Sequence, residues 1–335
     1  MSEHPLRADL VLSGGGVKGI GLVGAVVALM EAGYQIPRVS GTSAGSIVGA
    51  ILAAGVDTLS TGQVRDIAMN LPYRKFLDAE PVGAIPLVGP AWDLASGSGI
   101  YKGDFARQWI ASELENLGVR TFADLAIDDD GLLPERRYRL VVTVADVTLG
   151  QLVRLPWEYR RIYGLDPDEQ LVADAVRASM SIPFFFRTAK LTSAAGMTST
   201  LVDGGVVSNF PIDSFDRPDG KPPRWPTFGV NVLPNLPQGN DRVIPALGLL
   251  RHFGGPSLLE DLLTTMIVGH DQACLSQPWV NARVIRVDST DVGFLDFDIT
   301  TAQKEELFEQ GYAAAKTFLS SWDWPQYLKR FRGRS

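Results

Sequence analysis

The spacing of apolar and polar positions resolves the first fifty residues into a repeated pattern. Asp9 to Ser13 (DLVLS) is a short, almost wholly apolar run that stops at Gly14, Gly15 and Gly16. A run of that length bounded by glycine is the pattern of a strand buried on both faces. Val17 to Ala32 is apolar over too many residues for a strand and ends at Gly33, as a buried helix does. The order then recurs, with a strand around Ile36 to Ser40, a turn at Gly41-Thr42-Ser43-Ala44-Gly45, and a second apolar helix from Ser46 to Ala54. Two strand-turn-helix units with short connections, whose helices are apolar on most faces, predict an α/β fold. The expected arrangement is three layers, α/β/α, around a central and largely parallel sheet.

Further along, Asp104 to Leu117 and Leu171 to Ala178 read as helices and Tyr138 to Val144 (YRLVVTV) as a strand. Strands are also expected near Thr200 to Val202, Thr227 to Val232 and Arg283 to Val287. Thr300 and Thr301 with Gln303 supply capping groups for a last helix to about Ser320, with Leu307, Tyr312, Ala315 and Phe318 on its apolar face. Pro81 to Gly99 is rich in Pro and Gly and nearly uncharged, which predicts a long loop able to serve as a lid or substrate-facing flap. The Pro-rich segment Arg217 to Pro226 has strand-like runs on both sides, so it reads as an excursion rather than a boundary. The whole chain, 1–335, is therefore expected to form one domain, with a motif-bearing core at about 9–211 and a C-terminal strand and helix at about 283–320.

Composition narrows the function classes. The 335 residues carry 31 basic and 38 acidic side chains, a formal net charge of -7, the wrong sign for a surface that tracks phosphate backbones. Nucleic acid is excluded as a general partner. The single cysteine, Cys274, can close no intramolecular disulfide and build no multi-cysteine zinc site, which points to a reducing, cytoplasmic setting. No signal-peptide pattern precedes the glycines. The uncharged stretch Val39 to Val56 holds too many Ser, Thr and Gly for the roughly 20 strongly apolar residues of a membrane span.

The chemistry concentrates in the turns. Gly41-Thr42-Ser43-Ala44-Gly45 fits G-x-S-x-G between a predicted strand and a predicted helix, where small neighbours allow a sharp turn that presents the serine hydroxyl. Ser43 is the candidate nucleophile, set against the competing reading of an inert Gly/Ser turn. A serine hydroxyl is a poor nucleophile at neutral pH and needs a base for its proton and donors for the developing oxyanion. Gly14-Gly15-Gly16-Val17-Lys18-Gly19 offers backbone amides at a helix start, with the Lys18 cation nearby for an anion or head group. The same six residues also satisfy G-x-G-x-x-G, the fingerprint of a dinucleotide site, but that reading wants an acidic residue at the end of the second strand. Here that strand ends in Ser40-Gly41.

For the base, the order Ser43, Asp203, His252 or His270 imitates the triad of an α/β-hydrolase. Such enzymes place the nucleophile after several strands, whereas only two can precede Ser43, and neither histidine sits on an evident strand-end loop. Asp203 is better placed, following the strand-like Leu201-Val202 and preceding Gly204-Gly205, although an Asp-Gly pair is more often a plain turn.

Taken together and in order, SGGGVKG, GTSAG and DGGVVSNFP resemble the patatin-like phospholipase family. Ala178-Ser179-Met180-Ser181-Ile182-Pro183 is similar to the A-S-x-x-x-P stretch of that family, Asn209 and Pro211 to the segment after its aspartate, and residues 292–318 to the last strand and helix of its bacterial members. Lys18 stands where the family often has arginine and Ser13 where it often has aspartate. The resemblance implies a patatin-like fold and a serine acyl hydrolase that cleaves carboxylic esters of lipids with a Ser-Asp dyad. It implies Ser43 as nucleophile, Asp203 as its base, the amides of Gly14, Gly15 and Gly16 as oxyanion hole, and no metal or organic cofactor.

A lipid ester substrate implies transient contact with a membrane or micelle, a peripheral association at most. The loop Pro81 to Gly99 and the tail Trp322 to Arg334 (WDWPQYLKRFRGR) offer themselves for it; the tail's aromatics can equally pack the last helix onto the body. Two other classes stand beside the hydrolase: a dinucleotide-dependent oxidoreductase built on the GGGVKG turn, and a non-catalytic lipid-binding module on the same scaffold.

Overall fold

The computed structural model describes residues 6–78, 99, 101–217, 221–232, 271–289, 292, 293 and 295–332. In chain order, the elements used below are β1 (Leu6–Arg7), β2 (Asp9–Leu12), α1 (Gly19–Glu31), β3 (Tyr34–Gln35), β4 (Val39–Thr42), α2 (Ala44–Gly55), α3 (Thr61–Met69), α4 (Asp104–Asn116), β5 (Leu140–Asp146), β6 (Gln151–Leu155), α5 (Val172–Ser179), β7 (Ala189–Thr192), β8 (Thr198–Asp203), β9 (Thr227–Asn231), β10 (Val284–Arg286), α6 (Thr301–Ser321) and α7 (Trp324–Phe331).

Eight of the strands form one sheet in the order β10-β9-β2-β4-β5-β8-β7, with β6 paired to β5 off that path; β1 and β3 make a separate parallel pair. The strands from β10 to β5 run parallel, and β6, β7 and β8 join antiparallel. Every residue of β2, β4, β5 and β9 is buried, as parallel strands covered on both faces must be. Around this mostly parallel sheet α1 packs on α6 and α3, and α2 on α4 and α5. Both α1 and α2 are apolar on nearly every side, because each is enclosed between the sheet and further helices.

The expected α/β architecture is therefore present. Two strand boundaries move, for local reasons. Pro37 has no N–H to give to a ladder, and β4 starts after it. Tyr138 pairs instead with Ala126, and the Arg139 N–H donates to the Leu125 carbonyl, so β5 begins at Leu140. Helix α6 carries the expected cap, with Thr300 and Gln303 bonded reciprocally. The antiparallel strands β6 and β7 and the helices α3 and α7 were not expected. The segment Pro81 to Gly99 lies outside the described residues except for Gly99.

Candidate active site

The site is assembled by one strand that serves two partners. On β5, Leu140 to Thr143 pair with β4, and Thr42 stands opposite Thr143. The next residues, Val144 to Asp146, pair antiparallel with β8, and Asp203 stands opposite Val144. Since β6 occupies the other edge of β5 from Val142 to Asp146, β4 and β8 must share one edge. The two strands therefore run toward each other along that edge. Ser43, the residue after β4, and Asp203, the last residue of β8, meet where adjacent residues of β5 change partner.

Ser43 sits at the turn from β4 to α2 with φ of 50°, one of two non-glycine residues with positive φ among those described. A left-handed serine is uncommon and needs its surroundings to hold it. Three contacts do so. Its N–H donates to Ser179 Oγ (2.8 Å), and the Ser179 hydroxyl donates to the Thr143 carbonyl (2.7 Å). Its carbonyl accepts from the Ser46 hydroxyl (2.6 Å). The preceding Thr42 hydroxyl bonds that of Thr143, which also donates to the Gly41 carbonyl (3.2 Å). The flanking glycines are sterically required: a Cβ on Gly41 would collide with the Gly45 carbonyl, and one on Gly45 with the carbonyls of Leu12 and Ser13.

Asp203 is buried at 4% exposure, and no cation among the described residues is paired to it. Its Oδ1 accepts the Gly205 N–H (2.8 Å), and its backbone N–H donates to the Ser181 carbonyl (2.9 Å). Oδ2 is enclosed without a regular hydrogen bond. The Ser43 hydroxyl interacts with the carboxylate and, with Gly205, favours its ionised form. Burial outweighs both and pushes the pKa up to about 6. A carboxylate so placed is mostly ionised at pH 7 and more basic than an exposed aspartate, which suits it to take a proton from the hydroxyl beside it.

The glycine turn lies against this pair, since a Cβ on Gly14 would stand 3.2 Å from Ser43 Cβ. The structure revises the expectation for Gly14, whose N–H donates to the Asn209 carbonyl (3.2 Å) and so is already used. Among the described residues the N–H groups of Gly15 and Gly16 meet no acceptor, and they open a 3-10 turn at Gly16–Lys18 that leads into α1. Amides at such a start favour developing negative charge. Asn209, 2% exposed, joins the turn to the aspartate loop: its amide donates to the Gly14 carbonyl (3.4 Å), and its Oδ1 lies against both Gly14 and Gly205. Ser13 accepts the Val232 N–H (3.2 Å), a bond between β2 and the end of β9.

Lys18 is fully buried. The contact from it to an anion or head group that the sequence suggested would therefore have to be made inside the protein. His252 and His270, like His4, lie outside the described residues. The end of β4 carries Ser40, Gly41 and Thr42, with no carboxylate to hold a ribose. Among the described residues, no three His, Cys, Asp or Glu side chains converge as a metal site, and no helix is long and apolar enough to cross a membrane. In the tail, Trp322, Trp324, Tyr327 and Phe331 continue a run of ring contacts from Phe228 and Phe318, and the Tyr327 hydroxyl donates to the Trp279 carbonyl (3.1 Å). The aromatics thus pack the end of the chain onto the body.

Sequence reasoning missed the support for the site. Ser179 holds the Ser43 N–H, and Ser181 holds the Asp203 N–H. Arg177 fixes that segment, donating to Ser181 Oγ (2.7 Å), to the Gly103 carbonyl (3.0 Å) and to the Arg187 carbonyl (3.0 Å). The one signal was a Ser-x-Ser pair between a helix and a proline, which does not by itself say what the hydroxyls bind.

Residues 10–216 match the model of the patatin-like phospholipase family. The chain is 36% identical to the protein YqhO of Bacillus subtilis over 318 residues, covering 94% of this chain and 98% of that one. A stretch of 50 residues is 50% identical to the lysophospholipase nte1 of Aspergillus niger, covering 15% of this chain and 3% of that protein. In fold it resembles the crystal structure of VipD from Legionella pneumophila, with a TM-score of 0.53 at 20% identity, covering 95% of this chain and 67% of that one.

Proposed function

The chain belongs to the patatin-like phospholipase family, and from that premise we propose that it is a lipid acyl hydrolase in which Ser43 attacks a carboxylic ester and Asp203 is its base. The observation that carries the reading is the meeting of a strained, buried serine with a buried carboxylate that has no cation beside it among the described residues.

As the Ser43 hydroxyl oxygen bonds to the ester carbonyl carbon, its proton passes to Asp203 and the carbonyl oxygen becomes an oxyanion held by the N–H groups of Gly15 and Gly16. Collapse of this intermediate breaks the bond to the alcohol, which leaves with the proton from Asp203, and the acyl group stays on Ser43. Water then attacks the acyl-enzyme, giving its proton to Asp203, and the fatty acid departs as Ser43 regains its hydrogen. The relatives' lysophospholipase name favours phospholipid-derived esters as the substrate class.

A fluorophosphonate probe mapped by peptide mass spectrometry tests this directly. Labelling is expected at Ser43, absent in Ser43→Ala, slowed at least a hundredfold in Asp203→Asn and unchanged in His252→Ala and His270→Ala. Labelling at another residue, or labelling that depends on either histidine, refutes the dyad.

A further inference from the structure

We propose that the β5–β6 and β7–β8 turns form a docking surface by which the protein sits on an anionic phospholipid bilayer, at the same end of the sheet as Ser43 and Asp203. The inference rests on the hydrolase reading for its choice of partner and on the following geometry for its place.

Beyond the position where Asp203 faces Val144, β5 continues to Asp146 and turns at residues 147–150, about 10 Å further along the strand. That turn is rigidly tied. Asp146 Oδ1 accepts the N–H groups of Thr148 (2.9 Å) and Leu149 (3.0 Å), and its Oδ2 accepts the Tyr163 hydroxyl (2.8 Å). The Val147 N–H donates to the Thr200 carbonyl (3.0 Å), and the Thr200 N–H to Thr148 Oγ1 (2.9 Å), so the turn is fastened to β8. The β7–β8 turn next to it is closed by Ser193 and Met197, each bonded to the other.

With the backbone so fully engaged, the side chains that face outward are apolar: Val147 is 51% exposed, Leu149 40% and Met197 44%. Single exposed apolar residues are ordinary, and turns are normally polar. Three on adjacent turns at the catalytic end are a different matter, because the charge pattern around them agrees. No charged residue occurs between Asp146 and Arg154, nor between Lys190 and Asp203, and both bounding aspartates are buried. Of the basic residues that bound these segments, Lys190 is exposed and donates to Thr200 Oγ1 (2.6 Å), on the strand to which the 147–150 turn is fastened, whereas Arg154 stands opposite Thr143 and is paired with Asp213 (3.6 Å). An apolar tip with the exposed Lys190 at its edge, on a chain of net charge -7, complements lipid tails beneath anionic head groups.

The test is co-sedimentation with phosphatidylcholine vesicles containing or lacking phosphatidylglycerol, alongside hydrolysis of a short soluble ester. The proteins compared are the full chain, the triple variant Val147→Ser/Leu149→Ser/Met197→Ser, and Lys190→Ala. The triple variant should bind both vesicle types about tenfold more weakly while hydrolysing the soluble ester at the parental rate. Lys190→Ala should weaken binding only to the anionic vesicles, by a few fold. Unchanged vesicle binding in the triple variant, or a parent that binds neither vesicle type, overturns the surface even if the soluble ester is cleaved. Vesicle binding lost with the turns in a protein that cleaves no ester leaves the surface standing and removes the hydrolase.

Discussion

Two aspartates are buried at opposite ends of the same sheet, and the molecule treats them differently. Asp9 opens β2 at the N-terminal end and receives the Arg38 guanidinium through two nitrogens, while Phe215 covers that guanidinium 4.5 Å from its ring centre. Asp203 closes β8 at the other end and receives a hydroxyl and an amide. Burial raises the pKa of both carboxyls; at Asp9, Arg38 opposes the rise most strongly, and at Asp203 no cation among the described residues does. A buried carboxylate that keeps a cation is a structural fastening, whereas one left with neutral donors is kept reactive at a cost in stability.

Exchanging each aspartate for asparagine separates the two roles most sharply. Asp203→Asn should cut kcat/KM for ester hydrolysis by at least about a thousandfold with the fold intact, measured on a soluble ester beside circular dichroism. Asp9→Asn should leave the activity of the folded protein unchanged but lower its unfolding free energy by about 3–5 kcal/mol in urea titrations, because Arg38 is left buried and unpaired.

The pH dependence of the pair differs next. Asp203 holds its proton more tightly folded than unfolded, so its contribution to stability is full below its ordinary value of 3.8 and is lost as pH rises through about 6. At pH 7 Asp203→Asn should therefore be more stable than the parent, by up to about 3 kcal/mol. Over the same interval kcat/KM of the parent should rise, levelling off above pH 6 to 7 as the carboxylate ionises. A parent whose activity is flat between pH 5 and 7 removes Asp203 as the titrating base.

The smallest effect concerns the hydroxyl that holds the elbow. Ser179→Ala leaves the Ser43 N–H buried without its acceptor, and should cost about 1–2 kcal/mol, read as roughly a tenfold loss in kcat with KM little changed. Ser179→Thr, which keeps the oxygen, should recover most of it if the β4–α2 turn admits the added methyl.

How much of this was legible in the sequence follows from the range of the interactions involved. Most of the buried parallel strands and their helices were written in apolar runs, and the turn glycines pointed to Ser43 as the candidate nucleophile because close packing at Gly41 and Gly45 permits no larger residue. Strands β6 and β7 were missed: both are short and only partly buried, and their place depends on β5 and β8. The pairing of Ser43 with Asp203 was reached through resemblance, since no local pattern says that residues 160 positions apart will share an edge. The supports at Arg177, Ser179 and Ser181 stayed hidden because a buried hydroxyl or guanidinium acts through a backbone group it finds only after folding.

The shared edge of β5 also makes the distance between Ser43 and the Asp203 carboxylate a matter of counting. Thr42 and Asp203 stand opposite consecutive residues of β5, Thr143 and Val144, so their separation changes only in whole peptide steps of about 3.3 Å, each of which also turns a side chain to the opposite face. Substitutions around the pair can adjust its acidity by degrees, but adding or removing one residue between Val142 and Ala145 takes the two groups out of phase altogether. Here composition is an analogue control and chain length a digital one.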